Sequence, residues 1–152
     1  MATPAIVGVP RTEMQPERLQ TLLERAKESA ASGERLWRSG VIAKVQAEER
    51  LLKVVRLEAD LAIAQLERAK ADDKLRHPRA ESITSQSTEL DQTVAAASET
   101  ARNAIARRDR AERESAETNL RRQQKLMALG SARKADVDRA AEKLARLVQT
   151  TN

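Results

Sequence analysis

Apolar and small residues recur mostly at intervals of three and four in four runs between positions 19 and 147, separated at Gly40, Pro78 and Gly130 and thinning over 106–118. That period is helical. Pro16 suits the first position of a helix, because its missing N–H has no partner there in any case. From it runs a seam of Leu19, Leu22, Ala26, Ser29, Gly33 and Leu36, small in the middle, so a neighbouring helix can come close. A second stripe follows Gly40: Val45, Leu52, Val55, Ala59, Ala62, Leu66 and Ala69. It ends by His77, since Pro78 disfavours helical geometry in the residue before it. Residues 78–85 read as a connection, and the Ser and Thr residues within 82–88 offer caps for a third helix. Its seam is Leu90, Val94, Ala97, Ala101 and Ile105, and residues 106–118 then turn to Ala and charge, read as a solvated stretch with thin contact. Beyond Gly130 a fourth run carries Val137, Ala140, Leu144 and Leu147.

The expected fold is all-α: an elongated antiparallel coiled-coil hairpin built as two helix–glycine-turn–helix units in series over residues 16–149. Residues 1–15 form an arm and 150–152 a tail. Glycine in the left-handed conformation is a common helix terminator, but within a helix it costs only about 1 kcal/mol relative to Ala. The competing arrangement is therefore two unbroken helices, 15–77 against 86–149. An internal repeat favours the four-helix form. With Gly40 set on Gly130, Leu36, Lys44, Lys53, Arg56 and Leu57 fall on Leu126, Lys134, Lys143, Arg146 and Leu147. Both turns then lie at one end.

Composition narrows the picture. One Trp and no Phe, Tyr or Cys leave no material for a thick core, while 34% of residues are charged, a balance that fits long paired helices. The missing cysteines exclude disulfides and thiolate metal sites. No run reaches the roughly 18 apolar residues that would span a bilayer. The first residues lack the basic and apolar regions of a signal peptide, which, taken literally, implies a cytoplasmic protein. The net charge of +5 is spread over both halves, a mild surplus that does not point to a dedicated nucleic-acid binder.

Charge is uneven at the turns. Between Glu34 and Glu48 the only charged residues are Arg35, Arg38 and Lys44; between Glu117 and Asp136 they are Arg121, Arg122, Lys125, Arg133 and Lys134. Two explanations compete. Cations stabilise the dipole at a helix C-terminus, or the turn end is a basic tip that docks on an acidic surface. Trp37 stands beside the first turn with Arg35 and Arg38, and Trp and Arg are favoured interface anchors.

The tip residues carry a resemblance. Leu126, Gly130, Lys134, Asp138 and Ala140, and upstream Leu36, Gly40, Ile42, Lys44 and Glu48, are similar to the hairpin tip of the periplasmic adaptor family, the membrane fusion proteins. The doubled turn also looks like the helical turns of outer-membrane efflux ducts. The resemblance implies a non-catalytic adaptor-like hairpin in an envelope efflux or secretion complex. It also implies a periplasmic setting and a protein partner, either an outer-membrane duct or a transporter component. Its docking residues would be Arg35, Leu36, Trp37, Arg38, Gly40, Ile42, Lys44, Lys125, Leu126, Gly130, Arg133 and Lys134. The family's Arg and Ser seven residues either side of the tip Leu are not both kept, since Ser29 and Ala43 flank Leu36 and Asn119 and Arg133 flank Leu126.

No catalytic, cofactor or metal set stands out. His77 and Asp73 share a helical spacing but lack a third ligand. Glu48/Glu49 and Asp72/Asp73 are neighbours pointing in different directions. The expectation is an interaction protein without cofactors; seams this narrow can also be completed by a second copy. The alternative is a cytoplasmic basic helical protein that binds nucleic acid or anionic surfaces.

Overall fold

The structure is a computed structural model that describes residues 15–76 and 84–150, with side chains for 15–75 and 91–150. The described chain is all-α, with no strand: α1 (Pro16–Arg38), α2 (Lys44–Arg76), α3 (Thr84–Ala128) and α4 (Lys134–Gln149). The helices break at both glycines, so the arrangement of two unbroken helices is set aside. The arm expected over 1–15 (but for Gln15), the connection up to residue 83, and His77 lie outside the described residues.

Each helix packs on the next in sequence, and among the described residues no other pair comes into contact. Cross-helix pairs fix the sense. Glu17 on α1 meets Arg68 on α2, while the Arg50 guanidinium donates to the Ser29 carbonyl at 3.2 Å. Arg122, Glu112 and Arg107 on α3 meet Glu48 (3.1 Å), Arg56 (2.7 Å) and Glu58 (3.5 Å) on α2. One partner's number rises as the other's falls, so α2 runs opposite to both neighbours.

Alanine dominates what is buried. Among the described residues nine of the eleven buried apolar side chains are Ala, including Ala59 (0% exposed) and Ala101 (2%), and the largest fully buried side chain is Leu19. Each Ala removes little apolar area from water, at roughly 25 cal/mol per Å². Stability is thus distributed thinly along the helices rather than concentrated in a core.

The stripe expected on α2 is present: Ala59 and Ala62 are buried, and Val45, Leu52, Val55, Leu66 and Ala69 are half-buried. A second stripe accompanies it. Ala47, Arg50, Val54, Leu57, Leu61, Ala64 and Arg68 follow at alternating steps of three and four, and this stripe carries the pairs to α1. On α1 the expected seam is corrected at two positions. Leu22 and Ser29 are exposed, and Leu23 and Ala30 are buried in their place, giving Leu19, Leu23, Ala26, Ala30 and Gly33. The approach at Gly33 is close, because a Cβ there would lie 2.8 Å from Cδ of Arg50. On α3, Val94, Ala97 and Ile105 are half-buried and Ala101 is buried, as the spacing implies. The reading of 106–118 as solvated is also corrected. Ala116 is 4% exposed and Arg108, Asp109, Ala111, Glu112 and Arg113 are half-buried. Charged stems do the covering there, lying along their neighbours with their heads paired.

The Glu17 carboxyl is held below the usual range, first by a hydrogen bond with its own backbone in the opening turn of α1 and then by Arg68. The Arg68 guanidinium is raised correspondingly, chiefly through its bond to Glu17.

Candidate functional site

Both glycine turns are the same hydrogen-bonded structure, ninety residues apart. At the first, Val41 N–H donates to the Leu36 carbonyl at 2.8 Å and Gly40 N–H to that of Trp37 at 2.9 Å. At the second, Ser131 N–H donates to the Leu126 carbonyl at 2.8 Å and Gly130 N–H to that of Met127 at 2.9 Å. This is the Schellman pattern, which satisfies the last carbonyls of a helix and needs a left-handed residue at its centre. Gly40 and Gly130 supply it at φ 76° and 75°. The helices that follow also start alike. Gln46 accepts from Ala43 N–H at 3.3 Å, and Asp136, at the matching position, accepts from Arg133 N–H at 3.3 Å. The repeat seen in the sequence is therefore a repeat of structure at its turns.

The turns are side by side. Glu48 lies eight residues after Gly40 and Arg122 eight before Gly130, and these two side chains pair at 3.1 Å. Lys44 opens α2 four residues before Glu48 and Ala128 closes α3 six residues after Arg122, rises of about 6 and 9 Å, so both turns stand at the same end.

That end exposes apolar side chains: Val41 at 68%, Leu129 at 77%, Met127 at 42% and Trp37 at 38%. Trp37 carries Lys44 over its ring, 5.6 Å from the centroid. A Cβ at either glycine would meet nothing within 4 Å, so the space beside each glycine is open. Among the expected docking residues Arg35, Arg38, Lys44, Lys125, Arg133 and Lys134 are exposed. Leu36, Ile42 and Leu126 are only half-buried, and the two leucines serve the turns through their carbonyls. Val41, Met127 and Leu129 were not among the expected residues. Helical geometry could have found Met127: once Leu126 faces the seam, its neighbour turns outward.

Ion pairs engage only part of the positive charge. Arg38 pairs with Glu34 at 2.5 Å, Lys44 with Glu48 at 3.8 Å and Arg121 with Glu117 at 4.0 Å. Among the described residues the side-chain charges of Arg35, Lys125, Arg133 and Lys134 have no carboxylate within 4.0 Å. The helix dipole accounts for Arg35, Arg38 and Lys125, which lie in the last turns of α1 and α3. It does not account for Lys44 and Lys134, the first residues of α2 and α4, or for Arg133, the N-cap of α4. At those positions the dipole disfavours a cation.

No protein-family model matches the chain, and neither a curated protein nor a solved structure matches it. The geometry therefore stands by itself.

A cleft of about 620 Å³ between α2, α3 and α4 is lined by Lys53 and Lys143, the matching lysines of the repeat, with Leu52 and Ala116. Its Glu48 is engaged by Arg122. Among the described residues no three His, Cys, Asp or Glu gather to hold a metal ion, and no helix is long and apolar enough to cross a membrane.

Proposed function

We propose that the chain is a non-catalytic interaction protein, an elongated antiparallel coiled-coil hairpin that touches a protein partner with its glycine-marked end. One observation carries this reading: two turns at the same end, free of acidic residues, expose Trp37, Val41, Met127 and Leu129 among cations. Apolar side chains exposed to water are unfavourable in the free protein, and a contact that buries them recovers that free energy. The helices give the turns reach, since α3 with its 45 residues is about 68 Å long. Under the adaptor resemblance the partner is a component of an envelope efflux or secretion complex, and the turns are the docking end. Cross-linking in fractionated native host cells tests this. The protein is expected in complexes with an envelope protein, lost in a Val41→Asp/Leu129→Asp variant. Recovery with nucleic acid alone would overturn it.

A second reading is favoured by the four cations without carboxylates: a basic protein holding nucleic acid or another anionic surface. Salt separates the two. Polyanion binding falls steeply as salt rises, whereas a contact led by apolar side chains changes little.

A further inference from the structure

We infer that the turn end is two-pronged: each glycine turn enters its own acidic-rimmed apolar socket, and one partner presents two such sockets side by side. The inference rests on the reading of the turn end as a protein contact and specifies the partner's shape. Each turn is a complete prong. The first offers Trp37 and Val41 with Lys44; the second offers Met127 and Leu129 with Lys134, on the same backbone hydrogen bonds. The Glu48–Arg122 pair holds them at the same end. Neighbouring helix axes lie 8–10 Å apart, so the prongs are separated by roughly 15–20 Å. A partner that meets both at that spacing carries the socket twice, in adjacent repeats or adjacent copies.

The charge disfavours this chain's own turn end as that partner, since it would set Arg35, Lys125, Arg133 and Lys134, which have no carboxylate of their own, against the same four cations. A lipid surface fits less well than a protein. Peripheral helices enter lipid along a continuous apolar face, whereas these apolar side chains stand singly on turns fixed by backbone bonds, with Trp37 under Lys44. Acidic rims on the sockets answer Arg35, Lys125, Arg133 and Lys134.

A photo-crosslinking side chain placed at position 41 or at position 129 of the full chain, in the native host, tests the geometry. Both positions are expected to trap the same polypeptide through matching segments of two repeats or copies. Different polypeptides, or capture from one position only, overturns the two-pronged contact and leaves the protein-contact reading standing. Capture from neither position, with a blue shift of Trp37 on phosphatidylglycerol vesicles or none, overturns both. With the trapped partner in hand, Val41→Asp and Leu129→Asp are measured singly and together. Both side chains are exposed, so helicity is expected to stay unchanged. Each single substitution is expected to weaken binding about 10²-fold or more, because it removes one of two linked contacts. One silent substitution beside one that abolishes binding would show a single prong.

Discussion

Replacing Gly40 or Gly130 by Ala separates a true turn from a tolerated glycine within a helix, because the two cases have opposite signs. In the structure both glycines are left-handed, at φ 76° and 75°. A Cβ added at either would meet nothing within 4 Å, so no clash contributes. What remains is the cost of holding an L-residue in that conformation, about 1–2 kcal/mol. If the helix ran through the glycine, Ala would instead stabilise it by about 1 kcal/mol. The two arrangements therefore differ by roughly 2–3 kcal/mol at each site. Each turn closes on its own helix, so the two costs should add. Urea and thermal unfolding followed by circular dichroism read this directly, with Tm falling by about 2–8 °C for each single variant. Gly40→Asn should cost less than Gly40→Ala, since Asn tolerates the left-handed region. A rise in stability for either Ala variant would refute the turn at that position. A loss well above about 3 kcal/mol would show that something packs where the structure leaves open space.

Three further outcomes follow from the packing. Ala101→Leu places a large side chain where one residue is 2% exposed, and is expected to destabilise the fold by about 1–3 kcal/mol, read by the same unfolding curves. Residues 51–66 are covered by helices on two sides, whereas α4 contacts α3 alone. Amide hydrogens of 51–66 should therefore exchange more slowly than those of 134–149 in a mass-spectrometric experiment. Glu17 titrates below the usual carboxylate range, so its contribution to stability is present above the ordinary value and is lost as pH falls through the lowered one. In an NMR titration Arg68→Gln should return that pKa only part of the way, because the backbone bond is the larger cause.

Much of the architecture was legible in the sequence because it rests on backbone rules. Pro16 opens α1 and Gly40 and Gly130 close α1 and α3, each by its own dihedral preference. The α2 stripe facing α3 was legible as well, since from Leu52 to Ala69 its residues are all apolar. Two things were hidden. The α1 seam is a choice between Leu22 and Leu23 and between Ser29 and Ala30, a rotation of one residue that α2 decides and α1 alone does not. The α1-facing stripe of α2 was masked by Arg50 and Arg68, which act there through stems and ion pairs rather than as apolar groups. The same disguise made 106–118 look solvated. At the turn end the cations were visible as a gap in acidic residues, but Val41 and Leu129 were not. Their exposure comes from the path of the chain after the helix ends, which no periodicity describes.

The placement of positive charge at the turns bears most directly on function. Arg133 caps α4 without a side-chain hydrogen bond, and Lys134 opens that helix against its dipole. Ser at the cap is worth about 1 kcal/mol over a residue that cannot accept. Exchanging a cation for a carboxylate in the first turn adds about 0.3–1 kcal/mol. An Arg133→Ser/Lys134→Glu variant should therefore be more stable than the natural chain by about 1–2 kcal/mol, a sizeable share of a typical domain's 5–15 kcal/mol. If the turn end is the contact surface, the same variant should bind its partner more weakly, because it removes two cations that have no carboxylate of their own. Opposite signs in unfolding and in binding would mark these residues as kept for contact at the expense of the fold. Greater stability with binding unchanged would place the contact elsewhere on the protein.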